Sequence, residues 1–153
     1  MVDQIELMFP RLRHGNYQVM SPRTDAYNCI AWAAGDTTRW WWPDDPKGHW
    51  PDGAPRLETP EAFREAFATL GYTACRGDEL EAGFEKIALF ANAAGFPTHT
   101  ARQLSTGRWT SKLGLLEDIE HALNDLEGTA YGSVVQIMKR PLPAVKGKKT
   151  ERS

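Results

Sequence analysis

The sequence predicts an α+β domain in which N-terminal helices pack on a small antiparallel sheet. The clearest helix signals lie in the first half of the chain, and beyond Gly83 the apolar residues follow the spacing typical of strands. The predicted strands follow one another instead of alternating with helices. This order favours an α+β fold over repeated βαβ units.

Composition limits the classes of function. The chain has 153 residues, of which 41% are hydrophobic and 25% charged, as in one globular domain with a real core. The net charge of −2, with both signs interspersed, gives no electrostatic footprint for nucleic acid or for an anionic membrane. We therefore expect neither partner, and we assign residues 1–140 to one domain and 141–153 to a basic flexible tail.

The first residues and the cysteines indicate a compartment. The N-terminus is acidic and lacks the apolar core of a signal peptide, and no stretch approaches the roughly 18 apolar residues of a membrane span. We expect a cytoplasmic protein, although a dedicated secretion machine would leave no such mark. Cys29 and Cys75 could form one disulfide, but reduced thiols are the default in that compartment.

Two helices are predicted in the first half, after an irregular lead-in over residues 1–20. Thr24 or Asp25 is a candidate N-cap for a short helix that contains Cys29 and stops at Gly35. The segment 59–71 carries the full set of helix signals: a Thr N-cap, Pro at the first position, an apolar stripe and a closing Gly. We assign this second helix a structural role.

A tryptophan-rich loop separates these helices. Residues 40–51 hold four of the six tryptophans together with several prolines, so the segment cannot form a regular helix. Long ordered loops are often functional. Two interpretations stay open: the tryptophans roof a small core, or they form the wall of a substrate groove.

The second half is predicted to consist mainly of strands. Apolar runs or alternation indicate strands at 85–91, 98–104, 108–111 and 131–138. A Gly-containing connection at 105–107 predicts a hairpin between the second and third of these. Residues 115–126 show helical spacing of apolar side chains and are followed by Gly128, which predicts another amphipathic helix.

The chemistry of the chain centres on Cys29 and His99. Cys29 is predicted in the first turn of a helix, and His99 at the start of a strand. A helix N-terminus and a nearby imidazolium both lower the pKa of a thiol and so favour the nucleophilic thiolate. The competing interpretations are a buried inert thiol and a structural histidine. Zinc-binding spacings such as CxxC or HExxH are absent, and we expect no metal or cofactor.

The order of these parts resembles that of small papain-like thiol hydrolases. The motifs Tyr-Asn-Cys-Ile-Ala-Trp-Ala (27–33) and Trp-Thr-Ser-Lys-Leu-Gly (109–114) lie around the cysteine helix and the hairpin. The layout is closest to that of the bacterial cell-wall endopeptidase and amidase branch. The pair of motifs also resembles an uncharacterised bacterial family, and this second resemblance implies no activity. The likeness covers roughly residues 25–140.

The resemblance implies roles for the polar residues near the pair. In that branch the nucleophile follows an Asp or Asn, as Cys29 follows Asn28, and a third polar residue beyond the hairpin orients the histidine. Ser111 occupies that position, although a hydroxyl is a weaker acceptor than the usual His, Asn, Asp or Gln.

Other residues are alternatives for the orienting role. Gln103 shares a strand face with His99 and is predicted as a second orienting residue or an oxyanion donor. His121 and Asp118, which follow later in the chain, are a third possibility.

The predicted reaction is acyl transfer from a peptide or protein amide substrate. The Cys29 thiolate attacks the carbonyl, its own N–H with Asn28 or Gln103 stabilises the oxyanion, and His99 protonates the leaving amine. Four aromatic side chains are predicted to bind the substrate: Tyr27, Trp41, Trp42 and Trp109.

Two other functions stay open. An inactive domain of the same type could bind a protein partner through the tryptophan-rich loop, since tryptophans are frequent interface anchors. A thiol-dependent acyltransferase would use the same residues but pass the acyl group to an amine.

Overall fold

The fold is organised around one seven-stranded antiparallel sheet. A computed structural model describes residues 4–13, 15–113, 116–128 and 130–142. The strand order is β1-β6-β5-β4-β3-β7-β2, and every neighbouring pair is antiparallel. The strands are β1 (Gln18–Ser21), β2 (Thr73–Cys75), β3 (Phe84–Ala91), β4 (Pro97–Gln103), β5 (Trp109–Lys112), β6 (Asp118–His121) and β7 (Ser133–Pro141).

The helices are short and subordinate to this sheet. The described residues form α1 (Gln4–Met8), α2 (Cys29–Ala34), α3 (Pro60–Ala68) and the 3-10 turns Pro10–Arg13 and Leu123–Leu126. The predicted fold class, a papain-like α+β domain with N-terminal helices packed on a small sheet, is therefore wrong. β1, β2 and β6 have only three or four residues, which is too short for their periodic pattern to identify a strand. β5 is equally short but was predicted, because a Gly-containing hairpin connection precedes it.

The predicted helix at 115–126 is also wrong, and its first residue lies outside the described part of the chain. Residues 118–121 form β6, which pairs with β5 on one edge and β1 on the other. Ile119 and His121 are buried on one face of this strand. Pairing on both edges of the strand outweighs the helical spacing of the leucines.

Other predicted elements are confirmed. In α3, the Thr59 hydroxyl accepts a hydrogen bond from Ala62 N at 3.1 Å, and Pro60 takes the first position. The strands β3, β4, β5 and β7 lie within two residues of prediction at their starts and within three at their ends. Gly107 has a φ of +91° in the β4–β5 connection, a conformation that favours glycine.

The α2 helix begins later than predicted. Its N-cap is Asn28, whose side chain accepts from Ala31 N, and not Thr24 or Asp25. Gly35 ends the helix with a left-handed φ of +88°, as expected of a helix C-cap. Cys29 is therefore the first residue of the helix.

Each face of the sheet carries a separate core. Alternation along β3 sends Ile87 and Leu89 to one face and Ala88 and Phe90 to the other. The face that packs against α2 and α3, here called the α2 face, also buries Trp41, Trp50, Phe63, Phe67, Tyr72 and Met138. The opposite face, the α1 face, buries Ile5, Phe9, Leu12, Trp109, Ile119, Leu123, Leu126 and Ile137.

Both ends of the described chain contribute to the fold. The lead-in was predicted to be irregular, but it contains α1, a 3-10 turn and β1. Strand β7 continues to Pro141, one residue into the predicted tail, and residues 143–153 of that tail lie outside the described part. Among the described residues, no helix is long and apolar enough to cross a membrane.

Candidate functional site

The predicted site lies where β4 and β5 stop pairing. The two strands pair at Arg102↔Thr110 and Gln103↔Trp109. Both strands are fully described and continue past these two pairs, β4 towards Pro97 and β5 towards Lys112, but their backbone pairing does not. Side chains instead of main-chain hydrogen bonds connect the strands beyond that point.

Asn28 positions the cysteine at the start of α2. Its Oδ1 accepts from Ala31 N and Trp41 N, both at 3.1 Å, and its Nδ2 donates to Trp41 O at 2.8 Å. Asn28 is 4% exposed and is committed to holding the tryptophan-rich loop against the helix. These contacts are structural, and an oxyanion would have to compete with them.

The Cys29 thiol is buried, with 6% of the residue exposed. Burial raises its pKa to about 11, even though the sulfur accepts hydrogen bonds from the backbone N–H groups of Thr100, Ile30 and Cys29 itself, which lower the pKa. The positive charge of Lys112 lowers it further. Cys29 is thus a neutral thiol at pH 7 in this conformation, surrounded by groups that would favour an anion.

His99 is fully buried on the α1 face. It lies opposite Phe90 on β3, with ring centroids 5.2 Å apart, and it stacks on Tyr131 at 4.2 Å with an interplanar angle of 8°. Its Nε2 lies 2.8 Å from Ser111 Oγ. Burial holds the pKa of His99 well below its usual 6.5, so the ring is neutral at pH 7.

A second histidine lies behind the serine. Ser111 Oγ is 2.7 Å from His121 Nε2, and His121 Nδ1 is 2.8 Å from the carbonyl oxygen of Ala122. Burial lowers the pKa of His121 to about 4. His99, Ser111 and His121, here called the imidazole–serine chain, are all fully buried.

The structure brings Cys29 to the strand that carries His99 without joining the two side chains. Cys29 approaches from the α2 face and its sulfur contacts the N–H of Thr100, the residue after His99. The His99 ring projects to the α1 face, and its buried Nδ1 has no hydrogen-bond partner among the described residues. The predicted thiolate–imidazolium pair is therefore not formed here, because burial favours the neutral form of both groups.

Only two of the predicted orienting residues belong to the imidazole–serine chain, namely Ser111 and His121. The Gln103 amide donates to Asp78 O at 2.8 Å and to Gly107 O at 3.4 Å, so it holds the β4–β5 connection. Asp118 accepts from the Ser21 hydroxyl at 2.6 Å and pairs with Lys112 in the sheet. Neither of these two side chains bonds to His99.

The aromatic residues predicted to bind substrate divide into two groups. Trp41 and Trp109 are 5% and 3% exposed and belong to the two cores, so neither lines an open groove. Trp42 is half-buried against Phe63, with ring centroids 5.5 Å apart. Tyr27, also half-buried, remains beside Cys29 as a candidate contact for a substrate.

Lys112 is a contributor that the sequence pattern did not reveal. It is fully buried on the α2 face, where its Nζ donates to Thr24 O and Leu116 O, each at 2.8 Å, and lies 5.5 Å from the Tyr27 ring centroid. Desolvation lowers its pKa. The available signal was alternation: once Ser111 is placed on one face of β5, Lys112 must lie on the other.

Metal binding finds no support in the side-chain arrangement. No group of three or more His, Cys, Asp or Glu side chains within the described ranges could hold a metal ion. His99 and His121 are bridged by the Ser111 hydroxyl through their Nε2 atoms.

Sequence comparison gives a family and no activity. A family model described as a domain of unknown function, DUF7689, matches residues 18–139. The match begins at β1, ends within β7, and includes Cys29 and the whole imidazole–serine chain. A search of curated proteins and a search of solved structures each found no match. Since the matched region is most of the chain, the protein belongs to the DUF7689 family.

Proposed function

We propose that the protein is a thiol hydrolase that cleaves an amide or peptide bond through a Cys29 acyl-enzyme. One observation carries the proposal. The His99 ring is held at Nε2 by Ser111 while its Nδ1 is unpartnered, and the Cys29 sulfur lies on the N–H of the next residue along the strand. A histidine with one ring nitrogen held and the other bare, on the strand that the thiol contacts, can act as the base of nucleophilic catalysis once the two side chains meet.

The reaction begins from two neutral groups. His99 Nδ1 takes the proton of the Cys29 thiol as the sulfur attacks the substrate carbonyl and forms the S–C bond. His99 then gives this proton to the leaving amine as the C–N bond breaks, which yields a thioester. Water, deprotonated by the same nitrogen, hydrolyses the thioester and releases the free thiol and a carboxylic acid.

Main-chain donors supply the electrostatic stabilisation. The N–H groups of Cys29, Ile30 and Thr100 already converge on the sulfur. Fixed backbone dipoles in a dry site stabilise a developing negative charge without reorganising. The positive charge of Lys112, on the same face, acts in the same direction.

Substrate access requires local opening. Cys29 is 6% exposed and His99 is fully buried, so a scissile bond cannot reach the sulfur in this conformation. The opening also has to bring the sulfur and Nδ1 within hydrogen-bond distance. We therefore expect turnover to be limited by this motion and not by the intrinsic reactivity of the thiol.

The experiment is trapping of the acyl-enzyme. The protein is incubated with activated acyl esters and with peptide vinyl sulfones, and intact-mass and peptide mapping locate the adduct. We expect an adduct on Cys29 that disappears in Cys29→Ala and in His99→Phe and persists in the matched control Cys75→Ala. Absence of any Cys29 adduct across a panel of peptide, isopeptide and glutamine side-chain probes would contradict the proposal. A primary amine that consumes the adduct faster than water identifies an acyltransferase instead.

A partner-binding module is the second candidate function, and burial favours it. Both reactive groups are inaccessible and neutral at rest. Cys29→Ala distinguishes the two functions, because a binding module would keep its biological activity without the sulfur.

A further inference from the structure

The donors and acceptors of the imidazole–serine chain allow only one direction for its hydrogen bonds. The carbonyl oxygen of Ala122 can only accept, so His121 Nδ1 carries the proton in their 2.8 Å contact. A neutral His121 then has a bare Nε2, which accepts the Ser111 hydroxyl proton across 2.7 Å. With its proton committed, Ser111 Oγ can only accept from His99 Nε2–H at 2.8 Å.

The same proton order fixes the state of the other nitrogen of the His99 ring. A neutral imidazole carries one proton, so a proton on His99 Nε2 leaves Nδ1 as a lone pair. This is the nitrogen for which the described part of the chain offers no hydrogen-bond partner. The free nitrogen of His99 is thus set by a carbonyl three hydrogen bonds away, at the end of β6.

The chain is built to stay neutral. His99, Ser111 and His121 have no exposed surface, and the rings around His99 are Phe90 and Tyr131. The charged group that acts on His121 is Arg108, whose positive charge opposes protonation. When all three side chains are neutral, their protons can be arranged in only one way, because the carbonyl at the end of the chain cannot donate a hydrogen bond.

We infer that His121 is a positioning residue which, through the Ser111 hydroxyl, holds His99 in the Nε2–H tautomer and so makes Nδ1 the base for Cys29. The inference rests on the proposed function for the role of the base. The hydrogen-bond direction itself is a property of the resting protein. It deepens the predicted orienting role of Ser111, which alone could donate or accept and therefore could not choose between the two tautomers.

The test measures the tautomer directly and separately from activity. In protein labelled with 15N-histidine, two-bond 15N–1H correlation spectra distinguish a protonated from a bare ring nitrogen. We expect Nε2–H on His99 and Nδ1–H on His121 in the native protein. In His121→Phe the Ser111 hydroxyl loses its acceptor and turns to His99, so His99 should change to the Nδ1–H tautomer. The matched variant His121→Gln keeps an acceptor and should retain Nε2–H.

The activity readout follows the tautomer. Loss of the base lowers kcat for Cys29 acylation by about 100-fold or more in His121→Phe, with KM nearly unchanged, and His121→Gln restores most of it. A lesion that only loosened the fold would lower both variants together. If His121→Phe does not fold, Ser111→Ala and Ser111→Thr replace it: Thr keeps the Nε2–H tautomer, and Ala releases it.

Two results would overturn the inference. One is a native His99 that carries its proton on Nδ1. The other is a His99 tautomer that does not respond to His121→Phe or to Ser111→Ala. The expected tautomers in a protein whose Cys29 never acylates would instead remove the hydrolase proposal and leave the hydrogen-bond direction standing.

Discussion

The two faces of the sheet bury polar groups in different ways. On the α2 face, Lys112 keeps its donors because main-chain carbonyls at Thr24 and Leu116 accept them. On the α1 face, two imidazoles avoid charge altogether and bond through one hydroxyl. A buried ammonium cannot easily shed its charge and must be fully solvated by protein, whereas histidine can lose its proton at little cost near pH 7. The faces therefore differ in their response to pH and to mutation.

The largest expected effect concerns thiol reactivity on the α2 face. Burial raises the pKa of Cys29 from 9.0 to about 11. At pH 8 the thiolate fraction of Cys29 is therefore about a hundredth of that of an unburied thiol with a pKa of 9.0. Burial also raises the pKa of Cys75, but this thiol is only half-buried, so iodoacetamide should modify Cys75 before Cys29 in the resting protein. Mass mapping over time checks this order, with each Cys→Ala variant as the control for the other. Faster modification of Cys29 would mean that the thiol is already ionised or exposed.

Acid should lower the stability of the protein through the histidines on the α1 face. Below about pH 6.5 the unfolded chain binds a proton at His121 that the folded protein does not bind until about pH 4, so the free energy of unfolding falls as the pH falls through this window. The loss from His121 is about 3 kcal/mol by pH 4, and His99, shifted in the same direction, adds to it. Denaturant unfolding at several pH values measures the slope. His121→Gln should flatten it, and an unchanged slope would show that His121 has the same pKa in the folded and unfolded protein.

Removing the buried charge of Lys112 on the α2 face should lower the free energy of unfolding slightly less than acid does through His121. Lys112→Met keeps the length of the side chain but leaves the carbonyls of Thr24 and Leu116 without this donor, which we expect to destabilise the fold by about 2 kcal/mol. The effect should change little between pH 5 and 8, unlike that at His121. Chemical denaturation at these two pH values is the measurement, and Lys47→Met, at an exposed loop position, is the matched control.

The smallest effect is at a helix end that borders the α2 face. Thr59→Ala removes the hydroxyl that caps α3 through Ala62 N and should lower stability by about 1 kcal/mol. Thr59→Ser keeps the cap and serves as the control. An equal loss in both variants would indicate that the methyl group, not the hydroxyl, contributes the stability.

Sequence reasoning succeeded where a local signal was complete. The α3 helix has its cap, its proline and its apolar stripe within one segment, and β4 with β5 has a glycine that needs a positive φ between them. Ser111 contacts His99 from the position that the family resemblance implied for the orienting residue, and strand alternation puts the two side chains on one face. It failed at 115–126, where leucine spacing fits a helix but strand partners on both sides decide the structure.

The sequence by itself determined the Thr59 cap of α3, the end of α2 at Gly35, the hairpin and the place of Cys29 in the first turn of α2. Only the tertiary structure decided that the sheet dominates, that the thiol and the imidazole approach β4 from opposite faces, and that His121 completes the chain behind Ser111. The physical reason is the range of the interactions. Caps and turns are satisfied within a few residues, whereas sheet order, burial and the proton on a histidine depend on neighbours that are far apart in the sequence.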